Sequence, residues 1–141
     1  GRAVRCGSAD AALRSKGETN MHLIIGGAYQ GKTDYAMAQF GLAAQDISVC
    51  TAEEPADFSK QCVSRLEEYA LFCLRQGREP ADCIPEAWDG VLICRDISCG
   101  VVPMDPEVRA WREAVGRMLV QLSLRAETVT RLFCGLPQRL K

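Results

Sequence analysis

This 141-residue sequence has one histidine, almost no net charge and no long apolar run. The formal net charge of -1 and the pI of about 5.9 provide no basic footprint for nucleic acid or an anionic membrane. No apolar segment approaches the length of a transmembrane helix, so we expect no membrane span. No basic-then-apolar signal segment opens the sequence, and the cytoplasm is therefore the predicted location.

Cysteines, by contrast, are abundant. None forms a C-x-x-C pair, and with a single histidine the sequence has no usual zinc pattern. Most lie in apolar strand-like runs or on one face of a predicted helix, so we interpret them as buried, reduced thiols. Two flank a predicted active-site loop, Cys94 and Cys99, where a redox or metal role is the alternative. The others are Cys6, Cys50, Cys62, Cys73, Cys83 and Cys134.

The length suits one domain, and 48% apolar with 25% charged residues is ordinary for a globular protein. Residues 1–20 are small, polar and mildly basic, without a persistent strand or helix period. We expect a flexible N-terminal extension over residues 1–20 and a nucleotide-binding domain over residues 21–141, with Met21 as the natural start. A short, loosely packed helix over residues 11–15 is the alternative for the extension.

The most informative segment is an apolar run at residues 23–25 that leads into G-x-x-x-x-G-K-T and then into a helical pattern. A strand before and a helix after are the context that a phosphate-binding loop (P-loop) needs. Gly26 and Gly31 permit backbone angles that a Cβ would forbid. Consecutive backbone N–H groups then form a nest for phosphate oxygens in front of the helix N-terminus. The predicted nucleotide-binding residues are Gly26, Gly27, Ala28, Tyr29, Gln30, Gly31, Lys32 and Thr33.

Two side chains of this loop have predicted roles. Lys32 reaches the β- and γ-phosphates, and the Thr33 hydroxyl ligates Mg²⁺. A glycine-rich turn without a ligand is the alternative. The predicted cofactors are Mg²⁺ and ATP or GTP as phosphoryl donor, because no guanine-reading motif decides between the two.

From Met21 onward, strand-like and helix-like segments alternate, which indicates a parallel sheet with crossover helices. We predict an α/β fold, a P-loop three-layer sandwich with a small, mostly parallel sheet flanked by helices. The predicted strands cover residues 22–26, 46–50, 90–94 and 128–134. The predicted helices cover residues 33–43, 57–76 and 106–126, with a short helix around Glu86.

Two blocks, residues 21–50 and 90–141, resemble a known family. The first holds Gly26-Gly27-Ala28 and the Gly-Lys-Thr that follows. The second holds Arg95-Asp96-Ile97-Ser98, then Gly100-Val101-Val102-Pro103, Arg109, Arg112, Gly116-Arg117 and a closing G-L-P-Q-R-L-K. They are similar to the G-G-A-x-x-G-K-[ST], N-E-V-G-x-G-I-V-P, R-x-x-R-x-x-x-G-R and G-[IL]-x-x-[KR]-L-K segments of the adenosylcobinamide kinase/adenosylcobinamide-phosphate guanylyltransferase family.

The resemblance implies a role in cobalamin (vitamin B12) biosynthesis or salvage. Family members phosphorylate the aminopropanol arm of adenosylcobinamide and then attach GMP through a histidine-bound intermediate. It implies a corrinoid substrate and a possible homo-oligomer, a trimer in the family. It also matches Asp96 to the family's glutamate, and Arg109 and Arg112 to two of its arginines.

Asp96 is the predicted catalytic partner of Lys32. It follows a central strand, where ligands bind in open parallel sheets, and would hold Mg²⁺ with Thr33 or accept the substrate hydroxyl proton. A helix cap or a loop hydrogen bond is the alternative. Arg109 and Arg112 are predicted to bind substrate, with a solvated helix face as the alternative. Residues 100–103 form either a substrate loop or a plain connector.

The chain departs from the family between residues 52 and 90. The guanylylated histidine and the R-P-x-x-W-x-T segment are absent, and a strand with an acidic-Cys-[LV]-Thr motif is expected to be missing. The one histidine, His22, lies at the start of the first strand, where a structural role is favoured. Tyr29-Gln30 replaces the family's Arg-Ser, which removes a cation near the phosphates.

We therefore predict a nucleoside-triphosphate-dependent, adenosylcobinamide kinase-like phosphotransferase without guanylyltransferase activity. The alternative is a non-catalytic nucleotide-binding protein of the same fold with a regulatory or partner role. A kinase of another small alcohol is a third possibility. The predicted partner is a corrinoid small molecule, and no nucleic acid is expected.

Overall fold

Six strands and three α-helices make up residues 20–27, 31–97 and 105–141, which are the residues that the computed structural model describes. Two short 3₁₀ turns, Ala44–Asp46 and Pro80–Cys83, lie between them. The strands are β1 (His22–Gly26), β2 (Ile47–Val49), β3 (Cys62–Ser64), β4 (Val91–Arg95), β5 (Thr128–Phe133) and β6 (Leu136–Arg139). The helices are α1 (Lys32–Phe40), α2 (Leu66–Arg75) and α3 (Pro106–Arg125).

The strands form one sheet in the order β2-β3-β4-β1-β5-β6, and all neighbouring pairs are parallel except β5 with β6. β1 lies in the middle, with Gly26 opposite Arg95 of β4 on one side and Leu132 of β5 on the other. Parallel strands bring their ends to common edges, which we call the carboxyl edge and the amino edge. The predicted α/β class with a mostly parallel sheet is confirmed.

Apolar side chains cover both faces of the sheet. One cluster packs Leu66 and Cys73 of α2 and Val115 and Met118 of α3 against the strands. A smaller cluster packs Ala36 of α1 against the opposite face. Burial of each large apolar side chain contributes ~1.5–3 kcal/mol, so α2 and α3 carry most of the packing energy. This arrangement is compatible with the predicted three-layer sandwich.

The predicted helix over residues 57–76 is wrong in its first half. α2 begins at Leu66, and the preceding Cys62–Ser64 is a strand that pairs with both β2 and β4. The chain turns from β3 into α2 at Arg65, which has a left-handed φ of 55°. Cys62 fits the helical period of Leu66, but all three strand residues are buried, as a strand with two neighbours requires.

β3 also corrects the expectation that a strand is missing from the middle of the chain. Its sequence is Cys62-Val63-Ser64, and it follows Gln61 rather than an acidic residue. Three residues are too few for periodicity to separate a strand from a helix. The predicted short helix around Glu86 lies instead at Pro80–Cys83.

The chain closes with a hairpin that the sequence analysis does not predict. Cys134 and Gly135 have φ values of 51° and 76°, and they connect β5 to the antiparallel β6. Two consecutive positive φ values are what a two-residue type I′ turn needs. The predicted last strand over residues 128–134 therefore ends at Phe133, and Cys134 is exposed in the turn.

Four cysteines are buried as free thiols, as predicted: Cys50, Cys62, Cys73 and Cys94. Cys83 is half-buried, and Cys134 contradicts the prediction because it lies in the exposed turn. Cys6 and Cys99 lie outside the described residues, as does most of the predicted N-terminal extension. Of the helices described, none has the length and apolar character needed to cross a membrane.

Candidate functional site

The glycines of the predicted phosphate loop lie at the carboxyl edge, where β1 ends and α1 begins. Gly31 precedes α1 in a left-handed conformation, with φ 77°. Gly26 is required for space instead, since a Cβ there would stand 2.8 Å from the backbone oxygen of Leu132. Ala28, Tyr29 and Gln30 lie outside the described residues.

Lys32 folds back over the end of β1. Its Nζ donates a hydrogen bond to the backbone oxygen of Gly27 at 2.7 Å, and its Cδ lies 3.5 Å from the position that a Gly26 Cβ would take. Burial lowers the pKa of Lys32, while the charges of Glu67 and Cys94 act to raise it. Thr33 follows in the first turn of α1 with an exposed side chain. An ammonium and a hydroxyl are thus available beside the loop.

Asp96 extends β4 by one residue at the same edge. Its backbone N–H donates to the Gly26 oxygen at 2.9 Å, which fixes it against the end of β1. Its Oδ2 lies 3.7 Å from Nη2 of Arg131 on β5. The Asp96 side chain is 15% exposed and that of Arg131 is 48% exposed, so the carboxylate is the more enclosed partner. Both predicted alternatives for Asp96, a site ligand and a loop hydrogen bond, are compatible with this position.

Glu67 is the residue of this region that sequence reasoning missed. It lies in the first turn of α2 and is only 4% exposed. Its Oε1 accepts a hydrogen bond from the Arg95 N–H at 2.9 Å, and its backbone oxygen accepts one from Trp111 Nε1 at 2.7 Å. The predicted helix over residues 57–76 puts Glu67 in mid-helix, away from any strand end. A carboxylate three residues after a parallel strand would have been the signal.

The buried thiol of Cys94 lies near the charges of Glu67, Asp96 and Lys32. Burial raises the pKa of Cys94 well above its usual range, and the carboxylates of Glu67 and Asp96 raise it further. The ammonium of Lys32 has the opposite effect on the pKa of this thiol. Two carboxylates and one ammonium therefore lie near the carboxyl ends of β1 and β4. Such an arrangement can bind a phosphate together with a divalent cation.

Mg²⁺ fits the donors at this edge in part. Thr33 offers a hydroxyl oxygen and Asp96 a carboxylate oxygen, which are ligand types that Mg²⁺ prefers. In the described ranges no group of three or more His, Cys, Asp or Glu side chains forms a ready metal cage. Phosphate oxygens and water would have to complete the shell, as is usual for a nucleotide-bound Mg²⁺.

Arg109 and Arg112 lie one turn apart near the start of α3. The crossover from β4 to β5 returns the chain to the amino edge, so the first turns of α3 lie toward the carboxyl edge. Arg109 is exposed and Arg112 is half-buried. Their contact with a substrate stays a prediction.

His22 lies at the opposite end of β1. Its Nδ1 is 2.7 Å from Thr128 Oγ1, its Nε2 is 3.7 Å from Glu127 Oε2, and its ring packs on Phe40 with centroids 4.8 Å apart. Gly26 lies four residue steps further along β1, about 13 Å at the usual rise. These contacts fit the structural role favoured for His22.

No protein-family model matches the chain, and a comparison with curated proteins found no match. The resemblance to the adenosylcobinamide kinase family therefore depends on the motifs alone.

Proposed function

We propose that the protein is a nucleoside-triphosphate-dependent kinase of cobalamin biosynthesis or salvage, which phosphorylates adenosylcobinamide and does not transfer GMP. One observation carries the proposal. Lys32, Asp96 and Glu67 each form a hydrogen bond to a backbone group at the ends of β1 and β4, at the carboxyl edge of a parallel sheet where the G-x-x-x-x-G-K-T segment begins. Ligands of open parallel sheets bind at this edge.

Phosphoryl transfer depends mainly on positioning and on neutralising charge. Lys32 would leave the Gly27 oxygen and bind the β- and γ-phosphates. The acceptor hydroxyl oxygen forms a bond to the γ-phosphorus, and the bond between that phosphorus and the β–γ bridging oxygen breaks. The nucleoside diphosphate leaves, and the hydroxyl proton passes to the Asp96 carboxylate.

Thr33 would hold Mg²⁺ in this site, and Asp96 would hold it with Thr33 as the alternative to accepting the proton. The ion supplies positive charge to the β- and γ-phosphate oxygens. Asp96 can accept this role because its backbone N–H is fixed on Gly26, which keeps the carboxylate at the edge of the sheet. Arg131 can remain beside Asp96 or turn toward a phosphate oxygen, since half of its side chain is exposed.

The position of His22 supports the absence of guanylyl transfer. The sequence has one histidine, and it is bonded to Thr128 at the amino edge, away from Lys32. A histidine nucleophile must come within bonding distance of the α-phosphorus. Nucleotide bound at the carboxyl edge would therefore find no histidine of its own chain there.

A non-catalytic nucleotide-binding protein is the second candidate, and the ion pair of Asp96 with Arg131 favours it. A carboxylate beside a guanidinium is a weaker proton acceptor, because the positive charge stabilises its ionised form. The same phosphate site could then bind a nucleotide without turnover.

Incubation of the protein with adenosylcobinamide and Mg·ATP or Mg·GTP tests the proposal. We expect phosphorylated corrinoid, which disappears in Lys32→Met and persists in the matched control Lys60→Met, whose ammonium bonds to the Gln45 oxygen away from the site. Nucleotide binding without product would support the second candidate. A covalent GMP adduct would contradict the absence of guanylyl transfer, and no nucleotide binding would overturn both candidates.

A further inference from the structure

The location of Glu67 follows from an interruption in the β3–β4 ladder. The Val91 N–H donates to the Gln61 oxygen, so alternate N–H groups of β4 point toward β3. The N–H of Arg95 is the last of this series. If the ladder continued, it would donate to the backbone oxygen of Arg65. The Arg65 oxygen instead accepts from the Glu68 N–H, since the chain has already turned into α2. The Glu67 carboxylate takes the open N–H of Arg95 at 2.9 Å.

This hydrogen bond alone does not account for a buried charge. Glu67 is 4% exposed, and a carboxylate removed from water costs several kcal/mol unless other charges or donors compensate it. The position is fixed, because Trp111 of α3 donates to the Glu67 backbone oxygen. Glu67 also lies in the first turn of α2, where the helix dipole contributes a small favourable term.

Lys32 offers a cation that can compensate this charge. Its side chain passes over Gly26, and Gly26 is the direct partner of Arg95 in the β1–β4 ladder. Lys32 therefore adjoins one member of this residue pair, and Glu67 bonds to the other. Burial lowers the pKa of Lys32, and of the neighbouring charges that of Glu67 raises this pKa most. The side chains bond to backbone groups, Lys32 to Gly27 and Glu67 to Arg95, rather than to each other.

We propose that Glu67 is a positioning residue of the phosphate site: its buried carboxylate attracts the Lys32 ammonium and holds it over the end of β1, where a polyphosphate binds. The function of this pair in nucleotide binding rests on the proposed function, but the pairing itself does not. The competing role for Glu67 is a cap on the Arg95 N–H and nothing more. Glutamine can provide that cap, since its amide oxygen accepts the same hydrogen bond without the charge.

The test is a double-mutant cycle in the unliganded protein, with unfolding measured in urea for wild type, Glu67→Gln, Lys32→Met and the double variant. Each single variant leaves one charge without its counterpart, and the double variant leaves neither. If the two side chains did not interact, their effects on the unfolding equilibrium constant would multiply in the double variant. We expect the double variant to be less destabilised than that, with an unfolding constant about tenfold below this product. Glu68→Gln, one residue along and half-buried, is the matched control and should combine with Lys32→Met additively.

Nucleotide binding gives a second readout. Simple repulsion predicts that loss of the Glu67 charge tightens binding of Mg·ATP or Mg·GTP. Positioning predicts the opposite sign: about tenfold weaker binding in Glu67→Gln, and no further loss when Lys32→Met is already present. Tighter or unchanged binding in Glu67→Gln would overturn the positioning role.

Additive effects of Glu67→Gln and Lys32→Met on unfolding, within a factor of two, would also overturn it and leave Glu67 as a cap. If Glu67→Gln does not fold alone, folding of the double variant would support the pairing, and failure of both would contradict it. If wild type binds neither nucleotide, the proposed function fails, while the unfolding cycle still decides whether Glu67 and Lys32 are coupled.

Discussion

The two edges of the sheet treat their polar groups differently. At the amino edge, polar side chains pair with nearby groups and close the structure: His22 bonds to Thr128, and Trp88 Nε1 donates to the Phe58 oxygen at 2.7 Å. At the carboxyl edge, Lys32 and Glu67 bond to the backbone and leave their opposite charges near each other across β1 and β4. The contacts of the amino edge therefore stabilise the fold, whereas the carboxyl edge carries charged groups beside the predicted phosphate loop.

This difference separates residues that matter for stability from residues that matter for binding. A Cβ on Gly90, at the amino edge, would clash with the Trp88 ring and a backbone oxygen, whereas a Cβ on Gly26, at the carboxyl edge, would clash with a backbone oxygen and adjoin the Lys32 side chain. A partly or fully buried charge that lacks a direct side-chain partner costs stability, and a ligand of opposite charge can compensate it. The next four predictions test whether the two edges respond as this comparison requires.

The largest expected effect comes from a pair of glycine substitutions. A Cβ on Gly90 would lie 2.5 Å from the Gln61 oxygen and 2.3 Å from the Trp88 ring, whereas a Cβ on Gly26 would lie 2.8 Å from the Leu132 oxygen. We expect Gly90→Ala to lower the free energy of unfolding by about 3 kcal/mol and Gly26→Ala by about 1–2 kcal/mol. Folded Gly90→Ala should keep its nucleotide affinity, and Gly26→Ala should lose it.

Urea unfolding and calorimetric titration check both substitutions. Equal losses of nucleotide affinity in the two variants would contradict the separation of the edges. Gly135→Ala tests a third case, since a Cβ there meets no atom within 4 Å and only the φ of 76° opposes it.

Alkaline pH should destabilise the protein through its buried thiols. Burial raises the pKa of Cys50 and of Cys62 to about 12, and Glu67 and Glu68 contribute at Cys50. Between about pH 9 and 12 the unfolded chain ionises these thiols and the folded protein does not, so the unfolded state binds fewer protons and stability falls as pH rises. We expect these two thiols together to cost about 3 kcal/mol of stability between pH 9 and 10.5.

The pH dependence of urea midpoints in wild type and in Cys50→Ala/Cys62→Ala measures this effect. The double variant should show a shallower decline, and Cys134→Ala should decline like wild type because this thiol is exposed. A steeper decline in the double variant would show that the thiols are ionised in the fold.

Gln61 is an exception at the amino edge. Its Oε1 is buried without a hydrogen-bond partner among the residues described. An unsatisfied buried acceptor costs about 1–3 kcal/mol, so Gln61→Met should raise the free energy of unfolding by about 1 kcal/mol. Thermal unfolding checks this expectation, and a lower midpoint would mean that the Gln61 amide makes a bond that matters more than its unpaired oxygen.

The smallest effect is expected for Arg131→Gln. The guanidinium is half-exposed and 3.7 Å from Asp96, and exposed pairs of this kind contribute less than about 1 kcal/mol. Stability should therefore change little. If Arg131 binds the γ-phosphate, Arg131→Gln should weaken the binding of ATP more than the binding of ADP, each compared with wild type. A stability loss above 2 kcal/mol would show that this pair stabilises the fold as much as the contacts of the amino edge do, which would contradict the comparison.

The long elements of the fold could be predicted from the sequence. Apolar runs identify β1 and β4. Helix α3 begins at Pro106 as predicted, and the preceding Asp105 caps it by accepting a hydrogen bond from the Glu107 N–H at 2.8 Å. β3 could not be predicted, because three residues carry no period and Cys62 also fits the helix. The hairpin at Cys134-Gly135 depends on a positive φ at a cysteine, which propensity does not anticipate.

The candidate site divides in the same way. The loop spacing, Lys32, Thr33 and Asp96 are visible in the sequence because their chemistry follows from local pattern. Glu67 is not, since its role depends on how the β3–β4 ladder ends and on the Arg95 N–H that this end leaves open. Tertiary register, rather than residue type, brings this carboxylate to the edge.

Calorimetric titration of Mg·ATP and Mg·GTP into wild type and Lys32→Met tests the central claim, a polyphosphate site at the carboxyl edge of β1. We predict one binding site per chain for at least one nucleotide, with affinity reduced about 100-fold in Lys32→Met, which corresponds to roughly 2.7 kcal/mol. Absence of binding heat with both nucleotides, or equal affinity in wild type and Lys32→Met, would contradict the account.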